Sequence, residues 1–214
     1  MDLRKAQRLI EESGIVAIVR LDSSAQLVEV ARAVANGGIN VIEFTMTTPD
    51  ALKIIEVSVR EFGEELLLGA GTVLDAETAR SAILAGAEFI VAPTLDRGVI
   101  ETCRRYGKVS IPGAYTPTEI LTAWEWGADF VKVFPAEAGG PGYLKAIRAP
   151  LPQVKLIPVG GVSIENAADY IRAGAAAVAI GSNLVDKKTV AESAYGVLAD
   201  RARRIRTAVQ SARA

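Results

Sequence analysis

Short apolar runs alternate with longer amphipathic stretches along the whole chain. The runs are rich in Val and Ile, which is typical of strands buried on both faces of a parallel sheet. The stretches between them repeat apolar residues at helical spacing. Strands are predicted over Ile15–Arg20, Asn40–Phe44, Leu66–Gly69, Glu88–Val91, Lys108–Ile111, Asp129–Val133, Lys155–Val159 and Ala176–Ile180.

Helices are predicted between these strands, and an extra N-terminal helix, Asp2–Ser13, precedes the first strand. Residues Lys187–Arg213 are predicted to supply the closing helix and a tail. Eight strands separated by helices favour an α/β fold of the (β/α)8 TIM barrel type, and residues 1–214 are predicted to form this single domain. A Rossmann-type sheet is the alternative, but no Gly-x-Gly-x-x-Gly follows the first strand. The intervening helices include Ala25–Asn36, Pro49–Arg60, Ala76–Ala85, Pro117–Trp126 and Ile164–Ala173.

An internal repeat supports the barrel, because several helices end on a glycine turn that leads directly into the next strand. Alternate strands of such a barrel contribute side chains to the same interior layer. Glu43 and Lys132 are therefore expected to point into one layer. Five residues after Gly38, Gly86, Gly127 and Gly174 come Glu43, Val91, Lys132 and Ala179.

Lys132 lies in the middle of the apolar run Ala128–Pro135. A lysine there either extends its amine to the surface or lies in a low-dielectric pocket, where burial lowers its pKa. A neutral amine is what Schiff-base chemistry on a ketone requires. An edge-strand lysine facing water is the alternative, and the repeat that aligns Lys132 with Glu43 favours the catalytic interpretation.

Glycine-containing loops follow the last two strands and form the best candidate anion site. Gly160-Gly161 comes after the seventh strand, and Gly181-Ser182 comes after the eighth. Glycine lets backbone N–H groups approach phosphate oxygens, and barrels often bind phosphate at these two loops. The alternative is that the glycines only make tight turns between strand and helix.

Composition narrows the possible chemistry. The chain has no histidine and a single cysteine, Cys103, which we interpret as structural. Zinc, iron and Ser-His-Asp sites need ligands or bases that the chain lacks, so no metal and no cofactor are predicted. A carboxylate-bound magnesium has no motif to support it. The lone thiol suits a reducing cytoplasm.

Charge is nearly balanced, with a net value of −1. The chain has no basic stripe, so no nucleic-acid partner is predicted. No apolar run approaches the roughly 20 residues of a membrane span, so no membrane contact is predicted.

Taken together, these residues resemble the class I 2-keto-3-deoxy-6-phosphogluconate (KDPG) aldolase family, whose members are often also active on 4-hydroxy-2-oxoglutarate. The resemblance extends from about Ile15 to Val185. The lysine strand and the Gly-Ala-Gly-Thr turn are specific in combination. The motifs are Val41-Ile42-Glu43-Phe44-Thr45, Gly69-Ala70-Gly71-Thr72-Val73-Leu74, Phe89-Ile90-Val91-Ala92-Pro93, Ile111-Pro112-Gly113, Phe130-Val131-Lys132-Val133-Phe134-Pro135-Ala136, Gly160-Gly161-Val162 and Ile180-Gly181-Ser182.

The resemblance implies a metal-independent lyase of carbohydrate metabolism, in the Entner-Doudoroff pathway, that cleaves KDPG to pyruvate and glyceraldehyde 3-phosphate. It implies that Lys132 forms the imine and that Glu43 is the general acid/base. It also implies a phosphorylated 2-oxo acid as substrate, with 4-hydroxy-2-oxoglutarate as a second one giving pyruvate and glyoxylate, and a homotrimer. The implied substrate-binding residues are Thr72, Pro112 and Gly113 at the pyruvoyl end, Pro93 and Phe134 on the pocket wall, and Gly160, Gly161, Gly181 and Ser182 at the phosphate.

The chain departs from the family at three positions. Many members have an arginine where Thr47 stands, a threonine where Val159 stands and a serine where Ala92 stands. Arg20, at the end of the first strand, is the candidate to supply the missing positive charge. These departures predict a weaker preference for the phosphorylated substrate.

Two other functions fit parts of the pattern. Another phosphate-binding barrel enzyme, such as an isomerase or synthase of aromatic amino acid or thiamine biosynthesis, would share the glycine loops. It would not require Lys132 opposite Glu43. A non-catalytic oligomeric scaffold built on an aldolase barrel would retain both residues without turnover.

Overall fold

The computed structural model describes residues 1–213 as an α/β structure in which parallel strands alternate with helices. The strands are β1 (Ile15–Val19), β2 (Val41–Thr45), β3 (Leu67–Gly71), β4 (Phe89–Val91), β5 (Val109–Ile111), β6 (Gly113–Ala114), β7 (Val131–Val133), β8 (Leu156–Pro158) and β9 (Val178–Ile180). The helices are α1 (Leu3–Ser13), α2 (Leu27–Asn36), α3 (Ala51–Phe62), α4 (Ala76–Leu84), α5 (Arg97–Tyr106), α6 (Pro117–Glu125), α7 (Gly140–Arg148), α8 (Ala167–Arg172), α9 (Lys187–Ala191) and α10 (Tyr195–Ser211).

The strands form two parallel, curled sheets. Their orders are β5-β4-β3-β2-β1-β9 and β6-β7-β8. Strands β5 and β6 belong to one extended segment that is interrupted at Pro112, which has no N–H to donate to a ladder. A parallel bridge between Val159 and Ala179 links the end of β8 to β9. The predicted parallel α/β class is confirmed.

The strands bury both faces, as parallel sheets do. On the inner face, alternate residues such as Phe89 and Val91 pack into one cluster. Helix α1 adds Ala6 and Ile10 to this cluster, and both side chains are almost fully buried. Helix α1 therefore covers the amino-terminal end of the sheet interior, whereas the other helices pack on the outer face. None of the helices in residues 1–213 is long and apolar enough to cross a membrane.

The C-terminal segment differs from the prediction of one closing helix over Lys187–Arg213. It forms α9 and α10, separated at Ser193, whose φ of 52° lies in the left-handed region that an α-helix cannot include. Helix α9 is capped by Asp186, the residue before it, whose side chain accepts the N–H of Thr189 at 2.9 Å. This cap places the short helix α9 at the carboxyl ends of the strands.

Candidate active site

A cavity of about 460 Å³ lies at the carboxyl ends of the parallel strands. Parallel α/β folds place their active sites at this end. Most of the residues predicted for the site lie on its wall. They are Arg20, Glu43, Thr72, Pro93, Lys132, Phe134, Gly160, Gly161, Gly181 and Ser182.

The two remaining predicted residues, Pro112 and Gly113, lie behind the cavity wall. The carbonyl of Pro112 accepts the N–H of Lys132 at 2.9 Å, and Gly113 is the register partner of Lys132. A Cβ on Gly113 would lie 2.3 Å from the carbonyl of Pro93. Both residues therefore position the strand that carries Lys132, and Gly113 permits a close approach between two backbone segments.

Lys132 is held in the centre of β7, between Gly113 and Ile157 of the neighbouring strands. It is only 5% exposed, and its Nζ lies 4.9 Å from the centre of the Phe134 ring. Burial lowers the pKa of the Lys132 amine; the charge of Glu43 opposes this shift and that of Arg20 adds to it. The position favours a neutral, nucleophilic amine.

Glu43 lies on β2 and is 2% exposed. Its Oε2 is buried and has no hydrogen-bond partner in the described chain. Burial raises the pKa of the Glu43 carboxyl group, while the charges of Lys132 and Arg20 oppose the shift. An unpartnered buried carboxyl oxygen is costly unless it has a function, and here it faces the cavity that contains Lys132.

The glycines of β3 make room for this carboxylate. A Cβ on Gly71 would lie 1.5 Å from Glu43 Oε1, and one on Gly69 would lie 2.5 Å from the Phe89 ring. The predicted strand ended at Gly69 and left Gly71 to the following turn, but β3 continues to Gly71, so both glycines lie within the strand. They are needed because the side chains of β2 and β4 fill the interior in front of β3.

Thr72 follows β3 and has a φ of 59°. A β-branched residue seldom adopts this conformation, which costs about 1–3 kcal/mol. The turn is held by the N–H of Val73, which donates to the carbonyl of Val91 at 3.1 Å. Backbone strain of this kind clusters at functional sites, and Thr72 lies on the cavity wall.

The two glycine loops follow the neighbouring strands β8 and β9 and line the same cavity. Gly160 and Gly161 have φ values of 95° and 70°, which favour glycine. A Cβ on Gly161 would lie 2.4 Å from the Cβ of Glu137. Asn183 joins the loops, because its Nδ2 donates to the carbonyl of Val162 at 2.8 Å.

Sequence reasoning missed three polar residues of the wall, Asn183, Asp186 and Lys187. They follow Gly181-Ser182 directly, so their place at the end of the last strand was a usable signal. The sequence does not reveal, however, which residues of a loop turn toward a cavity. Among residues 1–213, no group of three or more His, Cys, Asp or Glu side chains forms a metal site.

A buried amine and a buried carboxyl group at one cavity are the parts that lysine-dependent enzymes use on carbonyl substrates. The fold and the site therefore define a class, that of parallel α/β enzymes with Schiff-base chemistry. A family model described as "Aldolase: KDPG and KHG aldolase" matches residues 6–199. The chain belongs to this family of aldolases, which are lyases, and the resemblance found in the sequence is confirmed.

Three relatives show the range of the family. A 2-dehydro-3-deoxy-phosphogluconate aldolase of Treponema pallidum is 36% identical over 183 residues, covering 85% of this chain and 87% of the relative. A 2-dehydro-3-deoxy-6-phosphogalactonate aldolase of Escherichia coli is 37% identical over 171 residues, covering 79% and 83%. A crystal structure of KDPG aldolase from Legionella pneumophila, with pyruvate captured at low pH as a covalent carbinolamine intermediate, matches with a TM-score of 0.87 and 28% identity over 94% of this chain and 97% of that one.

Proposed function

We propose that this protein is a class I aldolase that cleaves KDPG to pyruvate and glyceraldehyde 3-phosphate. The observation that carries the proposal is the presence of Lys132 and Glu43 in one cavity, in a chain of this family. The carbinolamine in the Legionella relative supports it, because a carbinolamine is the intermediate that precedes an imine.

Lys132 acts first. Its neutral Nζ attacks the C2 ketone, and the resulting carbinolamine loses water to give a protonated imine. The imine then accepts the electron pair of the C3–C4 bond as that bond breaks. The products of this step are the free aldehyde and an enamine on Lys132. Protonation at C3 and hydrolysis at C2 release pyruvate and regenerate the amine.

Glu43 accepts the proton of the C4 hydroxyl group. Its carboxylate, directly or through a water, takes this proton as the C3–C4 bond breaks. Burial keeps the pKa of Glu43 above its ordinary value, and the positive imine beside it lowers the pKa again. The two opposing effects let the carboxyl group both accept and return the proton during the cycle.

The remaining wall residues bind the two ends of the substrate. Thr72 lines the pyruvoyl end, where Pro112 and Gly113 support the lysine strand, while Pro93 and Phe134 shape the wall. Arg20 supplies positive charge on the wall near the reacting pair, since its charge affects the pKa of both catalytic groups. The phosphate lies against the backbone N–H groups of Gly160, Gly161, Gly181 and Ser182.

A second substrate, 4-hydroxy-2-oxoglutarate, fits the same mechanism because its reacting carbons are the same. The family description supports it, since KHG denotes 2-keto-4-hydroxyglutarate. The Escherichia coli relative acts on the galactonate epimer by name. The kcat/KM values of the purified protein for the gluconate and galactonate substrates should therefore be compared.

We also propose a closed (β/α)8 barrel, with β5 and β6 counted as one strand, in a single-domain cytoplasmic protein. The continuity through Pro112 and the bridge between Val159 and Ala179 support closure. A homotrimer is implied by the family. Sedimentation should then give three times the chain mass of 22.6 kDa.

Borohydride trapping tests the proposed function. Pyruvate plus borohydride should add one reduced adduct per chain, and peptide mass mapping should place it on Lys132. Lys108 and Lys155, which form ion pairs with Glu88 and Glu11, serve as internal controls. An adduct on either of them, or on Lys145, would overturn the site. Trapping without KDPG turnover would instead identify a non-catalytic scaffold that keeps an ancestral lysine. Activity should also survive EDTA, because the mechanism uses no metal.

A further inference from the structure

Lys187 is a positive side chain on the cavity wall that the mechanism above does not use. We infer that Lys187 binds the distal phosphate of the substrate and sets the preference for phosphorylated over unphosphorylated 2-oxo acids. The inference rests on the proposed function and deepens it. It assigns to Lys187 a role in specificity, not in the chemistry.

Three basic side chains line the cavity, Arg20, Lys132 and Lys187. Lys132 is the reacting amine, and burial favours its neutral form. The charge of Arg20 acts on both Lys132 and Glu43, which places it near the reacting pair. Lys187 is the first residue of helix α9, which follows the Gly181-Ser182 loop, and it lines the cavity together with that loop. Lys187 is therefore the cation at the distal side of the cavity.

The present partner of Lys187 is easily exchanged. Its Nζ lies 2.7 Å from the carboxylate of Asp22, and the two side chains are 66% and 78% exposed. Ion pairs between such exposed groups contribute little to stability. A phosphate dianion held by the neighbouring glycine loops offers Lys187 a stronger, charge-assisted contact.

The loop that carries Asp22 does not depend on this ion pair. The N–H of Leu21 donates to Thr48 Oγ1 at 3.3 Å, and Gln26 Nε2 donates to the Tyr195 hydroxyl at 3.1 Å. These bonds hold both ends of the loop. Lys187 can therefore turn from Asp22 to a substrate without releasing the segment after β1.

Two neighbouring residues, Thr47 and Asp186, do not compete with Lys187 for the distal phosphate. Thr47, which stands where many relatives have an arginine, carries no charge, and its hydroxyl donates to Thr45 Oγ1 at 3.1 Å. Asp186 also lines the cavity, but its carboxylate is already bound by Arg201 and the Thr189 hydroxyl, so its repulsion of a phosphate is reduced. Among the described wall residues, Lys187 is thus the basic side chain left to contact a distal phosphate.

The test compares Lys187→Met with Lys188→Met. Lys188 is the adjacent lysine, lies away from the cavity and faces Glu192 at 4.0 Å, so it is a matched control. Lys187→Met should raise KM for KDPG roughly 5- to 20-fold, leave kcat within about twofold and leave KM for 4-hydroxy-2-oxoglutarate unchanged. The KM effect should shrink in high salt, because the contact is partly exposed. Lys188→Met should change none of these values.

A second variant tests the exchange of partners. Asp22→Asn frees Lys187, so KM for KDPG should fall, by about twofold, and Lys187→Arg should retain most of the wild-type preference. Equal KM changes for both substrates in Lys187→Met, or the same change in Lys188→Met, would overturn the inference, as would no change at all. Pyruvate trapping on Lys132 is measured in each variant. Its absence in the wild type would refute the proposed function itself, whereas normal trapping with an unchanged KM would refute only the role of Lys187.

Discussion

The two sides of the cavity are built in different ways. The side that we propose to react, here called the reacting side, consists of Lys132 and Glu43, which lie within β7 and β2 and are almost fully buried. The distal side consists of the loops after β8 and β9, where Ser182 and Lys187 are exposed. Strand ladders fix the first pair, whereas the second depends on backbone turns and on side chains that can move.

This difference separates the reaction from the choice of substrate. Imine chemistry needs a desolvated amine, and a sheet interior holds one in a fixed position. Recognition of the distal group needs only a cluster of donors, which loops can change without disturbing the sheet. Two relatives that are about equally similar to this chain are named for different sugar acids, which agrees with this division.

Replacement of Glu43 should have the largest effect. Glu43→Gln keeps the shape of the side chain and removes its titration, so we expect kcat to fall roughly 10²- to 10⁴-fold. Steady-state cleavage of KDPG measures the loss, and pyruvate trapping on Lys132 should survive in part. Because the raised pKa means that ionisation of Glu43 costs the folded state free energy above pH 4.5, the variant should be at least as stable as the wild type at neutral pH. Near wild-type turnover would show that Glu43 is only structural.

Gly71→Ala should disturb the reacting side without replacing either of the proposed catalytic residues. Its Cβ would lie 1.5 Å from Glu43 Oε1, so the carboxylate must move. Because a displacement of about 1 Å can cost on the order of 10²-fold in rate, we expect a loss of that size in kcat. Gly142→Ala is the control, since a Cβ there meets nothing within 4 Å. If both variants retain turnover, the close contact at Gly71 is not important.

Changes of pH should affect the reacting side through Lys132. Its pKa is lowered from 10.5 by burial, so the neutral amine is present above the lowered value and is lost as the pH falls through it. Below that value, the initial rate of pyruvate trapping should fall about tenfold per pH unit. Arg20 also lowers the pKa of Lys132, so Arg20→Gln should move the midpoint to higher pH. A midpoint that moves to lower pH, or does not move, would contradict this electrostatic picture.

Changes in the glycine loops should give the smallest effects, and these should depend on the substrate. Gly161→Val adds bulk beside Glu137 at a φ of 70°, so it should raise KM for KDPG about tenfold or more and change that for 4-hydroxy-2-oxoglutarate little. Ser182→Ala removes one donor from an exposed position and should cost less. Comparison of kcat/KM for the two substrates decides the point, and equal losses would mean that the loops are merely structural.

Much of the sheet could be predicted from sequence, because buried strands leave a continuous apolar signal. Each predicted strand overlaps an observed one, and the glycine repeat that aligned Glu43 with Lys132 led to two residues of the same cavity. The repeat was informative because strand order and side-chain alternation together fix which face a residue occupies.

Other features could not be predicted, since they depend on contacts between distant segments. The fit of Gly71 to Glu43 involves two strands, and no pattern within either one reveals it. The helix break at Ser193 lacks the usual glycine or proline signal. Lys187 seemed an ordinary helix residue, because the cap at Asp186 that turns the chain toward the cavity is recognisable only with the loop in place.

The covering of the sheet interior by helix α1 has a kinetic consequence. Ala6 and Ile10 close the amino-terminal end of the sheet interior, and the rings of Phe89 and Phe130 belong to the same apolar cluster. Substrates and products must therefore reach and leave Lys132 through the mouth of the cavity at the carboxyl ends of the strands. In the proposed binding mode, the aldehyde portion of the substrate lies nearer that mouth than the carbons bound to the lysine. Product release should therefore be ordered, with the aldehyde first and pyruvate last. In the synthetic direction, pyruvate must enter before the aldehyde, and excess aldehyde should inhibit by occupying the passage.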